Sequence, residues 1–366
     1  MFIFGIVLFL VGTLLPRLHV GYAHAGSLGS IPLIGILAAT VVAGPILDIR
    51  GARQMLIVAL SLIAGSLVLI PSASAFWQLG LCCLAYGFGG GVLNTATNVL
   101  IADLHAESRA RALNLLGFSF SAGAVAAPLL MSLAGGAISP SFVLRLLAAF
   151  TALILVPVLS LQFPPPLQAG VRILNLLTVL DQPLVWLFGL ILFFESGSEN
   201  CMFVWAGKLV TGALHAPATQ GSLALVALGA ALGVGRLAAV GWLRWLGNRG
   251  TIWLSVCLVL AGVLIASAAR GPALMMLAIT VIGLGISAIF PTVLGIAGEY
   301  FPGETGTAFG AIIALALVGG VSGPKLGGYA MSHGPLQVLW IPAVSAAAVG
   351  LLIAVATATR KPVESA

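Results

Sequence analysis

Charge is what this sequence lacks. Only 7% of its 366 residues are Asp, Glu, Lys or Arg, against about 25% in ordinary soluble domains. A soluble fold of this size needs a charged surface, which 15 basic and 9 acidic side chains cannot supply. Hydrophobic residues make up 60% of the chain. These proportions exclude a soluble enzyme, a nucleic-acid-binding domain and a disordered chain, and they predict an integral membrane protein.

Cysteine and histidine are also scarce, and neither is arranged for metal binding. The four cysteines lie inside apolar runs, without CxxC or Cys/His ligand spacing: Cys82, Cys83, Cys201 and Cys257. The five histidines fall at predicted loops or helix ends. We therefore expect buried, unreactive thiols, no disulfide, no metal site and no cofactor. No Ser/His/Asp set can be assembled at one membrane depth, so an enzyme is not predicted.

Long apolar segments recur along the whole chain. A helix needs about 20 residues to cross about 30 Å of hydrocarbon. Windows of that kind lie at about 1–16, 27–47, 54–71, 76–101, 112–136, 142–162, 184–210, 220–245, 251–269, 272–297, 307–332 and 336–358. The first window has no positively charged stretch before it, which favours a membrane helix over a cleaved signal. The sequence thus predicts an all-α protein with twelve transmembrane helices.

The longest gap between these windows divides the chain in two. Residues 163–183 begin with three consecutive prolines after Phe163. We expect a cytoplasmic linker there, between an N-terminal six-helix bundle at 1–162 and a C-terminal bundle with a short tail at 184–366.

The two halves also repeat each other. At an offset of 196, Gly51 and Gly123 fall on Gly247 and Gly319. At an offset of 194, the glycine run 89–91 falls on residues 283–285. Two six-helix repeats around a site at the midplane are typical of secondary transporters.

Basic residues predict the orientation in the membrane. With both termini in the cytoplasm, nine of them lie inside: Arg50, Arg53, Arg109, Arg111, Arg172, Arg244, Arg249, Arg360 and Lys361. Four lie outside: Arg17, Arg145, Lys208 and Arg270. This excess follows the positive-inside rule. We expect a multi-pass protein of the cytoplasmic (inner) membrane, with the lipid bilayer as its surroundings and no nucleic-acid partner.

The segment after helix 2 resembles a loop of the major facilitator superfamily. Residues 44–53 read GPILDIRGAR, and the family pattern has a Gly, an Asp four residues later, then a Gly and a basic residue. Ile49 and Ala52 depart from it, since the family usually has basic residues there. The resemblance implies two six-helix bundles and a cytoplasmic latch that includes Asp48, Arg50 and Arg53. In it, Asp48 would face the start of helix 11, where a carboxylate is stabilised by the helix dipole.

Further stretches resemble the fucose and glucose/galactose permease branch of that family. They are GTLLP at 12–16, NTATN at 94–98, NLLG at 114–117, FFESGSE at 193–199, Gly235-Arg236 and AIFPT at 288–292. The resemblance implies monosaccharide transport by alternating access, with substrate between helices 4, 7 and 10. Proton-coupled fucose permeases have an acid where this chain has Asn94 and another in helix 1. Both are missing here, so coupling to a proton or to sodium stays open.

Glu195 and Glu199 are the acidic residues predicted deepest in the membrane. They lie one turn apart on helix 7 and share a face, and Glu195 is expected about 16 Å from the cytoplasmic end. Two neighbouring carboxylates in a low dielectric should not both be ionised, so one can accept and release a proton. We predict a proton-coupling site or an acceptor pair for substrate hydroxyls. The alternative is that Glu199 forms a structural ion pair with a fixed cation.

Two cations accompany these acids. Lys325, in the outer third of helix 11, either pairs with Glu199 or extends to the membrane surface. Arg236, in the inner third of helix 8, either forms a gating ion pair or extends to the cytoplasmic surface.

Uncharged groups complete the predicted substrate site. Asn94 and Asn98 offer donors and acceptors suited to a polyhydroxylated substrate, or they bond neighbouring helices. Trp205 and Phe290 could stack on a sugar ring; the alternative is that they face lipid or fill space between helices.

These observations predict a secondary transporter of a small polar solute, foremost a monosaccharide. The alternatives are proton-driven efflux of drugs or metabolites and a non-transporting membrane sensor. By analogy with the family, a monomer is expected.

Overall fold

The computed structural model describes residues 1–17, 21–104, 109–133, 139–163, 181–300 and 305–358. Regular structure in these ranges is helical throughout. Eleven helices in them are long and apolar enough to cross a membrane, and the helix at Phe2–Arg17 is apolar but shorter. The predicted all-α membrane fold is confirmed, with eleven helices of spanning length in the described ranges where twelve were predicted.

We number the helices α1 to α12 in chain order. Seven are single helices: α1 Phe2–Leu14, α4 Phe76–Leu104, α5 Arg109–Leu133, α6 Pro140–Ser160, α7 Pro183–Leu214, α11 Thr305–Ser332 and α12 Trp340–Ala358. Tyr22–Leu69 contains α2 and α3, Ala218–Ala268 contains α8 and α9, and α10 consists of Pro272–Ser287 and Ile289–Tyr300. Short 3-10 turns at Leu15–Arg17, Ile70–Ser72 and Pro335–Leu339 follow α1 and α3 and precede α12. The predicted linker 163–183 lies almost entirely outside the described residues.

Glycine makes the turn inside each of the two long helical segments. Gly51 separates α2 from α3 with φ 77° and ψ 164°, and Gly247 separates α8 from α9 with φ 66° and ψ 180°. Only glycine adopts this backbone region without strain. Because the two turns are 196 residues apart, the structure supports the predicted repeat at this point.

Helix packing repeats with the same period. A Cβ added to Gly87 would overlap Pro32, and one added to Gly283 would lie 3.2 Å from the carbonyl oxygen of Leu228. Gly89 contacts α3 as Gly285 contacts α9. Both contacts recur 196 residues later. The contact of Gly87 with Pro32 corresponds to that of Gly283 with Leu228, and the contact of Gly89 with Ala59 corresponds to that of Gly285 with Ser255. The predicted offset of 194 for this run is wrong, because the equivalent glycines are those that contact equivalent neighbours.

The cysteines are free, as predicted, but not all are buried. Cys83 and Cys201 are buried, Cys82 is half-buried and Cys257 is exposed. Cys257 lies on a face of α9 that the protein leaves uncovered, which in a membrane helix is available to lipid. The expectation of four buried thiols is therefore wrong for Cys257.

We predict that Gly51→Ala and Gly247→Ala each lower the stability of the protein by about 1–3 kcal/mol, because alanine is strained at these backbone angles. Heating in detergent, followed by size-exclusion of the surviving monodisperse protein, measures the effect as a lower midpoint. The matched control is Gly65→Ala in α3, where a Cβ meets nothing within 4 Å and alanine favours the helix. Equal midpoints for Gly51→Ala and Gly65→Ala would contradict the prediction.

Candidate functional site

A polar segment interrupts the apolar length of α7. Glu195 is 2% exposed, and neither of its carboxylate oxygens accepts a hydrogen bond from a described residue. The hydroxyl of Ser198, one turn further along, is also buried and unpartnered within the described ranges. Buried polar groups normally have partners. Glu195 and Ser198 therefore leave buried hydrogen-bond acceptors that no described residue satisfies.

Glu199 on the same face of α7 does have a partner. Its Oε1 atom lies 3.6 Å from Nη2 of Arg236 on α8. The Arg236 guanidinium in turn lies 5.2 Å from the centre of the Phe120 ring on α5, a distance suited to a cation–π contact. The structure thus gives Arg236 an ion pair and links α7, α8 and α5 through one side chain.

Lys325 bonds elsewhere. Its Nζ atom donates to the hydroxyl of Ser27 on α2 at 2.5 Å. Gly26 packs on the backbone of Pro324 and Lys325, so this stretch of α11 faces α2. The structure therefore does not pair Lys325 with Glu199, and the cation beside Glu199 is Arg236.

Asn94 and Asn98 bond each other within α4. The Asn98 amide donates to the backbone oxygen of Asn94 at 2.8 Å and to its side-chain oxygen at 2.9 Å. Both residues are half-buried. Neither bonds another helix within the described residues, so the interhelical alternative finds no support in them.

The break in α10 lies beside α7. Pro291 cannot donate to the carbonyl of Ser287, and the helix is interrupted at Ala288. Phe290, just after the break, is half-buried, and the buried Thr292 hydroxyl has no described partner.

Aromatic packing shows which face of α7 meets the C-terminal end of α10. The rings of Phe188 on α7 and Tyr300 on α10 are 5.8 Å apart. Residues seven apart share a helix face, so Glu195 lies on the face of α7 that meets α10.

Trp205 lies apart from this group. It is fully buried, and its indole N–H donates to the carbonyl of Pro324 on α11 at 2.9 Å. Its ring lies 6.1 Å from that of Tyr22 at the start of α2. In this conformation Trp205 packs helices together and has no exposed surface, and its role in substrate binding stays a prediction.

The predicted latch is described only in part. The side chain of Asp48 lies outside the described set. Arg50 is exposed, and the exposed Arg53 donates to the carbonyl of Leu159 in α6. Arg53 thus joins α3 to α6, and a latch against the start of α11 stays a prediction.

The helices meet closely at the end away from Met1. A Cβ at Gly12 in α1 would overlap the carbonyl of Phe203 in α7, and one at Gly26 in α2 would lie 2.9 Å from the carbonyl of Pro324 in α11. Near the opposite end, a Cβ at Gly117, Gly295 or Gly310 meets no atom of the described residues within 4 Å. The structure is therefore closed at one end, where α1 and α2 contact α7 and α11.

A groove of about 520 Å³ lies on another part of the protein, between α9 and α12. Leu260, Leu264, Leu339 and Trp340 are among its lining residues, and no acidic or basic side chain lines it. It lacks the polar groups of the α7 segment and is not the candidate site.

Sequence reasoning missed three members of the site. Ser198 and Thr292 lie inside the motifs that carry the family resemblance, so both could have been proposed as site residues. Phe120 had no such signal, because nothing in the sequence of α5 shows that this ring faces α8.

Comparisons with known proteins agree with this fold. A family model for the Major Facilitator Superfamily matches residues 1–207. A mutant of the nucleoside transporter NupG has a similar structure, with a TM-score of 0.82 and 14% identity over 98% of each chain. A D-xylose–proton symporter gives a TM-score of 0.77 and 15% identity, over 96% of this chain and 94% of that one.

Sequence relatives match over a shorter stretch. The chain is 35% identical over 102 residues to the sodium-dependent glucose transporter 1A of Mus musculus, which is 28% of this chain and 24% of that protein. The corresponding Rattus norvegicus protein, sodium-dependent glucose transporter 1, is 37% identical over 103 residues, 28% of this chain and 21% of that protein. The match thus spans about a quarter or less of the length of these relatives.

We predict that Arg236→Gln destabilises the protein more than the double variant Glu199→Gln/Arg236→Gln, because the single change leaves an unpaired carboxylate in a mostly buried position. Since the Arg236 side chain is 33% exposed, we expect a coupling of about 1–2 kcal/mol, below the roughly 3–5 kcal/mol of a fully buried pair. Midpoints of heat denaturation for both single variants and the double variant measure it. If the destabilisations of the two single variants add up to that of the double variant, the ion pair contributes nothing to stability.

Proposed function

The chain belongs to the Major Facilitator Superfamily, and on that premise we propose that it is a secondary transporter, rather than an enzyme, that moves a monosaccharide across the cytoplasmic (inner) membrane. It works as a monomer by alternating access. Bundles at 1–162 and 184–366 rock about the site, joined by the cytoplasmic linker 163–183.

In this proposal α1 is the twelfth membrane span. It packs on α5 through Gly5, where a Cβ would overlap the carbonyl of Phe120. In the same way α7 packs on α11, where a Cβ at Gly319 would overlap the carbonyl of Phe193. Because α1 and α7 have equivalent neighbours in the two halves, α1 takes the position of a spanning helix despite its shorter length.

The Glu195 carboxylate has no hydrogen-bond partner in the part of the chain that the structure describes, and this observation carries the proposal. A buried acceptor needs a donor, and the hydroxyls of a sugar supply several. Glu199 adds a second acceptor, the amides of Asn94 and Asn98 both donate and accept, and the ring of Phe290 can stack on the apolar face of a pyranose. We place the substrate among these residues, with Trp205 fixing α7 against α11.

Relatives support the sugar assignment. The mouse and rat proteins that match part of this chain are named as glucose transporters, and one structural neighbour is named as a xylose symporter. A polar site that is rich in acceptors and lies within an apolar bundle suits the same class of solute.

Glu195 and Glu199 have different roles in coupling. Glu195 forms no ion pair within the described residues, and we assign to it the uptake and release of the proton. Glu199 holds Arg236, whose guanidinium lies on Phe120 of the other bundle. A proton or a substrate at the acids therefore changes the contact between α8 and α5, which is how binding drives rocking.

We predict that Glu195→Gln abolishes glucose accumulation driven by an inward proton gradient but keeps glucose exchange at equal pH, because glutamine cannot carry the proton and still accepts a hydrogen bond. Proteoliposomes with labelled glucose on either side measure both. Asp181→Asn removes the same charge from an exposed position before α7 and should change neither. Glu199→Gln is tested likewise, and intact accumulation in either glutamine variant excludes that residue as a coupling group.

We also predict that Asn94→Ala raises the KM for the transported sugar about tenfold with little change in maximal rate, because one substrate hydrogen bond of about 1.4 kcal/mol is lost. Initial rates of uptake measure it. Thr97→Val on the same helix is the control, because its hydroxyl donates to the carbonyl of Leu93 in its own helix at 2.7 Å. Equal KM values for the two variants would remove Asn94 from the binding site.

A further inference from the structure

Arg17 joins three helices at the closed end of the protein. It follows α1, and its Nη1 atom donates to the hydroxyl of Ser222 on α8 at 2.8 Å and to the carbonyl of Thr13 at 3.4 Å. Its Nη2 atom donates to the carbonyl of Met131 on α5 at 2.9 Å. Ser222 is fully buried. A basic residue of the first half therefore reaches a buried hydroxyl of the second half.

The bond from Lys325 to Ser27 runs in the opposite sense. Here the cation belongs to α11 in the second half and the hydroxyl to α2 in the first half, at 2.5 Å. Under the 196-residue repeat, α2 corresponds to α8 and α5 to α11. The two contacts therefore lie on equivalent edges of the interface, α5 with α8 and α2 with α11.

We propose that Arg17–Ser222 and Lys325–Ser27 form an outer clasp, a pair of cation–hydroxyl contacts that holds the extracellular end shut and sets how readily it opens. This inference rests on the proposed function, because a closed end has to open only in a transporter. The distribution of basic residues indicates that this end faces the outside.

The chemistry of the acceptors suits a contact that must open in every cycle. A carboxylate opposite each cation would make an ion pair that is costly to separate at partial burial. A neutral hydroxyl gives a weaker, directional bond.

Small residues bring the backbones close enough for these contacts. At Gly207 on α7, a Cβ would lie 3.0 Å from the carbonyl of Gly221, the residue before Ser222, and 3.3 Å from Pro16, the residue before Arg17. Gly26 packs on Pro324 in the same way beside Ser27 and Lys325. Each clasp thus sits next to a close approach of two helices.

Labelling of a buried cysteine tests the clasp. Val204 on α7 is 3% exposed, and its methyl groups lie against Gly29 of α2. We expect Val204→Cys to react slowly with a membrane-impermeant maleimide added outside. Adding Ser222→Ala and Ser27→Ala to this variant should make the labelling about tenfold faster. The labelling of the protein without Val204→Cys is measured separately and subtracted.

Ser322→Ala is the matched control, because it removes a serine hydroxyl that donates within its own helix, to Val318 at 2.8 Å. It should leave the rate unchanged. Equal rates in the double variant and the control overturn the clasp, and so does an equal increase in both, which would mean general loosening. If the double variant is not monodisperse, Arg17→Lys replaces it. Lysine cannot bridge Ser222 and Met131 as the guanidinium does, so faster labelling is expected and an unchanged rate overturns the proposal.

The test separates this inference from the proposed function. Labelling needs no substrate, so it reports on the closed end whether or not sugar is transported. Normal sugar uptake with no effect on labelling overturns the clasp alone. Absent sugar uptake with faster labelling overturns the sugar assignment alone.

Discussion

A carboxylate inside a membrane bundle is costly unless a cation or hydrogen-bond donors lie beside it, and the arrangement of α5, α7 and α8 follows from that cost. Glu199 lies beside Arg236, and the guanidinium is itself held over the ring of Phe120. Glu195, one turn away, lies among residues that leave both of its oxygens without a described donor. One acid is thus paired within the structure, and we propose that the other binds a ligand or a proton.

Close helix packing determines where the protein can move. Glycines bring α1 onto α7 and α2 onto α11 at one end, whereas Gly5 and Gly189 near the other end pack on helices of their own half. At the first end, hydrogen bonds from Arg17 and Lys325 to serine hydroxyls join the two halves. Helix backbones also pack there directly on each other, without side chains between them. Such surfaces can separate without burying a charge, which alternating access requires.

The sequence was most informative where a property depends on local chemistry. Apolar windows predicted the helices within a few residues, the 196-residue spacing of Gly51 and Gly247 predicted equivalent turns, and helical spacing put Glu195 and Glu199 on one face. It named Lys325 as a partner for Glu199, whereas the structure pairs Glu199 with Arg236, because the pairing depends on how α8 and α11 are rotated against α7. The same limit hid Phe120 and the bond from Arg17 to Ser222, which lies 205 residues away in sequence.

Uptake of labelled glucose, galactose, fucose and a nucleoside into proteoliposomes, with and without an inward proton gradient, tests the central claim most directly. The account predicts that at least one of the three hexoses enters, that it accumulates only with the gradient, and that the nucleoside does not enter. Entry of the nucleoside alone, or no flux of any hexose through monodisperse reconstituted protein, would contradict it.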